Sequence, residues 1–231
     1  MQPSYKWHLG KSNEDEFISK KAVFLRRLQR FMQDDWQIIY LDETSTHLWE
    51  KRSKVWMPRD KPIFMRLNAE RGKSRTLFGA ISNRWNDMEW GIRDKTNGVN
   101  FCDFLIMICV PRLVENPRRT VIILDNHAAH KSKKARKLAD RLGITLYFLP
   151  PTASELNPIE RMWSYFKVRW RFHLSDPNKR VNPGNIDHHL GICLDAVKCK
   201  AVNLGKGPLR QIVMTNMLEF PQPNMASEAS A

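Results

Sequence analysis

The chain has 231 residues, 42% of them hydrophobic, and carries 38 Lys and Arg against 24 Asp and Glu, a formal net charge of +14. That length supports one sizeable core, and the excess of positive charge points to a polyanionic partner bound through its phosphates, with a merely soluble basic protein as the alternative. No run of about 18 apolar residues is present, so no membrane span is expected. The start, Met1-Gln2-Pro3-Ser4-Tyr5-Lys6, lacks an apolar signal region, which argues against export.

In chain order, residues 1–35 read as an N-terminal helical arm or linker, with a helix near Glu14–Met32. Trp36–Asp42 reads as a strand apolar on both faces, hence central. His47-Leu48-Trp49 and Val55-Trp56 are expected as its partners. Thr76–Ser82 is a further strand, paired with Met88–Ile92 across a polar turn. Asn100 is placed as the cap of a helix from Phe101 to Cys109, kinked or ended at Pro111. Thr120–Leu124 is a short β-branched run, a buried strand by composition. Lys131–Leu142 fits an amphipathic helix closed by Gly143. Ile144–Leu149 is a strand stopped by Pro150-Pro151. Asn157 then caps a helix with Pro158 at its first position, and Trp163, Phe166 and Trp170 form its core stripe. Beyond Ser175, Ile186–Val202 and Leu209–Phe220 read as helices of a C-terminal extension over residues 176–231, ending in a disordered tail. The alternation of elements gives an α/β fold with a mixed sheet flanked by helices.

Three carboxylates stand out against this order. Asp42 and Asp125 end apolar strands and Glu160 opens a helix. Residues at the carboxyl ends of neighbouring strands converge in open α/β sheets, and a hard divalent cation takes its oxygen ligands from such a group and from a substrate phosphate. Glu43, next to Asp42, points to the opposite face and is read as structural or as supporting the site from behind. Basic residues follow each motif: Lys131, Lys133 and Lys134 after Asp125, and Arg161 and Lys167 after Glu160. They suit DNA phosphates, and a solvated helix face accounts for them equally. His127 and His130 share helical spacing but are poor partners for oxygen-loving metals. Most tryptophans, including Trp49, Trp56, Trp85, Trp90, Trp163 and Trp170, are read as core rather than base-stacking, and His188-His189 as surface. The cysteines, Cys102, Cys109, Cys193 and Cys199, form no C-x-x-C pair, which argues against a zinc site or a disulfide framework; Cys102 and Cys109 are read as reduced core thiols on one helix face.

Three segments together carry a family resemblance: Tyr40-Leu41-Asp42-Glu43-Thr44, Leu124-Asp125-Asn126-His127-Ala128-Ala129-His130, and Leu149-Pro150-Pro151 running on to Leu156-Asn157-Pro158-Ile159-Glu160-Arg161-Met162-Trp163. With 34 residues between Asp125 and Glu160, the chain resembles the catalytic domain of mariner-superfamily transposases and their bacterial insertion-sequence relatives. The resemblance implies a ribonuclease H-like fold over residues 36–175. It implies an acidic triad of Asp42, Asp125 and Glu160 holding two Mg²⁺ or Mn²⁺ ions, with His130 and Asn126 beside it. It implies DNA cleavage at transposon ends, strand transfer into target DNA, and action as a homodimer or higher oligomer. The expected location is the nucleus in a eukaryote and the cytoplasm, at the nucleoid, in a bacterium. Pro150-Pro151-Thr152-Ala153-Ser154 departs from the family's usual Pro-Pro-Tyr-Ser-Pro and weakens that turn without touching a ligand. Only 35 residues precede the first strand, where the family carries helix-turn-helix modules, so a fragment, a truncated reading frame or a domesticated descendant is expected. Two other readings stay open: a domesticated, non-catalytic DNA-binding protein, and a structure-selective ribonuclease H-like nuclease.

Overall fold

The structure, a computed structural model, describes residues 11–48, 74–112, 116–176 and 178–198. Five strands form one sheet: β1 (Gln37–His47), β2 (Ser74–Ser82), β3 (Glu89–Arg93), β4 (Thr120–Leu124) and β5 (Thr145–Phe148), in the order β3-β2-β1-β4-β5. Five helices accompany them: α1 (Lys11–Gln33), α2 (Gly98–Arg112), α3 (Lys133–Leu142), α4 (Ile159–Ser175) and α5 (Ile186–Lys198). The first three strands are antiparallel neighbours, while β1, β4 and β5 run parallel. This is the mixed sheet flanked by helices that the element order predicts.

The sheet separates two cores, and β1 shows why. Ile38 and Tyr40 face one side, Ile39 and Leu41 the other, the two-residue alternation of a strand buried on both faces. On the first side α1, α4 and α5 lay Phe24, Leu28, Trp163, Phe166, Trp170, Leu190 and Leu194 against β1, β2 and β4. On the second, α2 and α3 contribute Phe101, Phe104, Leu105, Ala135 and Leu138. Helix α1 is tied to the parallel edge by Phe24, stacked on Tyr147 with centroids 5.1 Å apart. Helix α5 is tied to the antiparallel side by Arg75, which is 7% exposed. It donates to both carboxylate oxygens of Asp187 at 2.6 and 3.0 Å and lies 2.8 Å from Asp94. Between α4 and α5, His173 and His189 bring ring nitrogens within 2.8 Å of each other. His189 is therefore an interhelical contact and not the surface residue expected, although His188 is exposed.

Several boundaries differ from expectation for physical reasons. β1 does not stop at Asp42 but runs to His47, because β2 pairs with it from Ile39 to His47. His47 thus belongs to β1 rather than to a partner strand. Asn97, not Asn100, caps α2: its Oδ1 accepts the N–H groups of Val99 and Asn100 at 2.9 and 2.8 Å. That helix passes Pro111 and ends at Arg112. Ser132 caps α3 by accepting Ala135 N–H, so Lys131 stands in the turn before it, and Gly143 closes it with φ 69°. Asn157 Oδ1 accepts Ile159 N–H at 3.4 Å, and Pro158 already has right-handed helical angles, as its sequence position predicts. Val55-Trp56, Leu209–Phe220 and the tail lie outside the described residues.

Thr152, in the turn after β5, has φ 59°. A β-branched residue pays for left-handed backbone, whereas asparagine adopts it readily. Thr152→Asn should therefore stabilise the protein by on the order of 1 kcal/mol. Urea unfolding checks this, by a higher midpoint at unchanged slope.

Candidate active site

The register of the parallel strands builds the site. Tyr40 pairs with Ile123 as the last partner of β1 on β4. Continued two residues further, that register sets Asp42 level with Asp125 on a strand spacing of about 4.8 Å. β4 has ended there, while β1 continues along β2, so Asp42 stands past the end of its parallel neighbour. Asn157 brings in the third carboxylate. Its Nδ2 donates to Leu41 carbonyl at 3.3 Å, immediately before Asp42, and its own carbonyl accepts Glu160 N–H at 3.2 Å. The first turn of α4 is thereby fixed beside β1, and a carboxylate there suits the helix N-terminus.

Alternation along β1 sends Asp42 and Glu43 to opposite faces. Asp42 lies on the α4 side, where Oδ2 accepts the indole N–H of Trp163 at 3.0 Å. Burial raises the Asp42 carboxyl to about 7, helped by the charges of Glu160, Glu43 and Asp125, against a hydrogen bond from Glu43 N–H. The proximity of four carboxylates is thus written into the proton affinity of one. Glu43 lies on the α3 side and meets His130, which is fully buried and rests against the ring of Phe101 at 4.5 Å. His130 Nε2 is 2.8 Å from Glu43 Oε1, and its Nδ1 is 2.8 Å from Asp125 Oδ1. With a carboxylate at each nitrogen, both must carry a proton. Burial pulls His130 down, but the bonds to Asp125 and Glu43 outweigh it and hold the imidazolium up to about 9. Asp125 is lowered chiefly by that His130 hydrogen bond, with burial opposing and His127 N–H assisting, at 2.9 Å on the same Oδ1.

Asn126 braces the loop: its Nδ2 donates to Leu149 carbonyl at 2.6 Å, and its Oδ1 accepts Lys131 Nζ at 2.6 Å. Lys131 also lies 5.3 Å from the Phe148 ring centroid. Lys133 and Lys134 are exposed on α3, while Arg161, exposed, and Lys167, half-buried, are on α4. The basic residues are therefore carried by α3 and its preceding turn and by α4, which flank opposite faces of the sheet. Trp85, Trp163 and Trp170 are buried as expected, and Trp90 donates to Asp195 at 3.1 Å; Trp49 and Trp56 lie outside the described residues. The Glu43–His130 link and the Trp163–Asp42 bond join residues far apart in sequence. Only the strand alternation, which separates Glu43 from Asp42, hints at the first.

Comparison with known proteins agrees with this architecture. Residues 37–180 match the DDE superfamily endonuclease family. An uncharacterised protein, y4pE/y4sA, of Sinorhizobium fredii (strain NBRC 101917 / NGR234) is 39% identical over 61 residues, 26% of this chain and 43% of its own length. The fold is shared with the pre-cleavage Mos1 transpososome at TM-score 0.66 and 15% identity, over 95% of this chain and 66% of that one. It is shared with the catalytic domain of Mos1 mariner transposase at TM-score 0.60 and 13% identity, over 92% and 95%. The fold is therefore ribonuclease H-like, and the chain spans less than two thirds of the curated relative and of the transpososome chain.

Asp42 and His130 hold protons more tightly in the folded state than in the unfolded one, whereas His173, pushed by burial down to about 4, holds its proton less tightly. Stability should therefore respond to rising pH in two stages: a first, from about 4 to 7, in which the loss through Asp42 is opposed by the gain through His173, and a second, a net fall, from 6.5 to about 9 through His130. The second stage is on the order of 3 kcal/mol at most. Denaturation across this range should show the upper stage in the native protein and lose it in His130→Gln.

Proposed function

We propose, for a chain that belongs to the DDE superfamily endonuclease family, that it is the catalytic core of a mariner-type transposase, cutting DNA phosphodiester bonds with divalent metal and transferring the strand to target DNA. The observation that carries the reading is the convergence of Asp42, Asp125 and Glu160 at the point where β4 ends and β1 continues.

The donor set fits Mg²⁺ or Mn²⁺. It consists of hard carboxylate oxygens whose mutual repulsion a cation would relieve. Among the described residues no three His, Cys, Asp or Glu side chains close into a cage around one point. Mg²⁺ needs none, since one or two carboxylates with waters and substrate phosphate suffice. Mos1 structures include a paired-end complex with Mn and a catalytic domain with Raltegravir and Mg; two ions held by Asp42, Asp125 and Glu160 are our extension to this chain. Bound there by Asp42, Asp125 and Glu160, such ions would supply activation of the attacking water or DNA 3′-hydroxyl and neutralisation of charge on the leaving oxygen.

The chain's own residues do the rest. His130 and His127 N–H both occupy Asp125 Oδ1, so Oδ2 is the oxygen we assign to the metal. Glu43 balances the buried imidazolium from the far side and keeps it from migrating toward the ligands. Arg161 follows Glu160 directly and is exposed; with Lys133, Lys134 and Lys167 it is assigned to DNA phosphates. Lys131 joins them on releasing Asn126. The DNA partners are transposon ends and target, and the assembly is a homodimer or higher oligomer, in keeping with the paired-end complexes of Mos1.

The test is a nicking and strand-transfer assay in Mn²⁺ with pre-cut DNA ends. Nicked and joined products should form with the native chain and drop to background in Asp125→Ala and Glu160→Ala. Products that persist in both variants would sink the assignment. DNA affinity should also fall steeply with salt, and Arg161→Ala should reduce the slope of log affinity against log salt by about one. Filter binding at several salt concentrations reads this directly.

A further inference from the structure

Trp163 sits three residues after Glu160 on α4, so one rigid helix carries a site carboxylate and, almost one turn later on the same side, an indole. The indole is 1% exposed and donates its N–H to Asp42 Oδ2 at 3.0 Å. A buried indole N–H needs an acceptor, and a core carbonyl would serve. Here the acceptor is the carboxylate of the site.

The opposite strand is shaped to permit that contact. Gly79 on β2 is the register partner of Asp42. A Cβ at Gly79 would stand 2.6 and 2.8 Å from two carbons of the Trp163 ring, and 3.1 Å from Ile159. A side chain at position 79 would occupy the place the ring takes when it reaches Asp42. On the same helix Phe166 packs edge-on against the ring at 6.4 Å and stacks in turn on Trp170 at 6.4 Å, so the indole is part of the buried α4 core. Asp42 is thus held by its backbone in the β1–β2 ladder and by its carboxylate from α4.

We infer that Trp163 is a positioning residue of the site: its N–H, admitted by Gly79, sets the orientation of Asp42 and fixes it relative to Glu160 for metal binding. This rests on the proposed reading of the three carboxylates as metal ligands.

The test measures Mn²⁺ binding by the 231-residue chain without DNA, from the free-ion paramagnetic resonance signal. Trp163→Phe keeps an aromatic ring in the core and removes the N–H. It should retain the native circular dichroism and weaken Mn²⁺ binding by about tenfold or more, the usual effect of losing an outer partner of a metal ligand. Asp125→Asn is the control for the reading itself. If Asp125→Asn loses binding while Trp163→Phe binds within about twofold of the native chain, the role of Trp163 is overturned and the metal site stands. If Asp125→Asn binds Mn²⁺ like the native chain, the reading falls and the inference with it. Should Trp163→Phe fail to fold, the native protein still decides. The Trp163 indole ¹⁵N–¹H resonance should shift on Mg²⁺ titration and saturate with the ion, and an unmoved resonance overturns the inference.

Discussion

The unequal length of two neighbouring strands is the constraint on which the site depends. β1 pairs with β4 only through Tyr40 but continues with β2 to His47. Had the two strands ended together, Asp42 would lie in a loop, free to choose its direction. Instead the antiparallel ladder holds its backbone while the parallel partner has already ended, and its side chain is delivered to a ledge past the end of β4. Everything else at the site is fastened to that ledge: Asn157 to Leu41, Trp163 to Asp42, and Glu43 through His130 to Asp125.

The electrostatics follow from the same placement. On the α3 face, acid is answered by a buried cation, since His130 stands between Glu43 and Asp125. On the α4 face, Asp42 has a neutral indole and the repulsion of its neighbours, so burial and charge raise it to about 7. One carboxylate is thus kept ionised and the next is poised near neutrality.

Much of this was legible in the amino-acid order. Apolar runs at Trp36–Asp42 and Thr120–Leu124 announced central strands, and the Asn157-Pro158 pair announced the start of α4. The length of β1 was not legible. Glu43-Thr44-Ser45-Thr46-His47 has the composition of a loop, and only the pairing with β2 makes it strand and buries Thr44 and Thr46. The side-chain links were hidden for a different reason. His130 and Glu43 are 87 positions apart and Trp163 and Asp42 are 121 apart, and no local pattern encodes such pairs. Trp163 also fitted a helical core stripe well enough that packing alone accounted for it.

Asn126 has a consequence for how such chains can vary in length. It joins the loop after β4 to Leu149, and Leu149 N–H closes on Leu124 carbonyl at 2.8 Å, so the two loops that deliver Asp125 and Glu160 are riveted together at one end of the sheet. The intervening helix α3 returns to β5 at Gly143, at the far end of those parallel strands. Inserting or deleting residues in either riveted loop would pull one carboxylate out of line with the other. The turn around Gly143 lies a strand's length from both, so tolerated changes in the Asp125-to-Glu160 interval should collect there, as extra helical turns or a longer hairpin that the chemistry never feels.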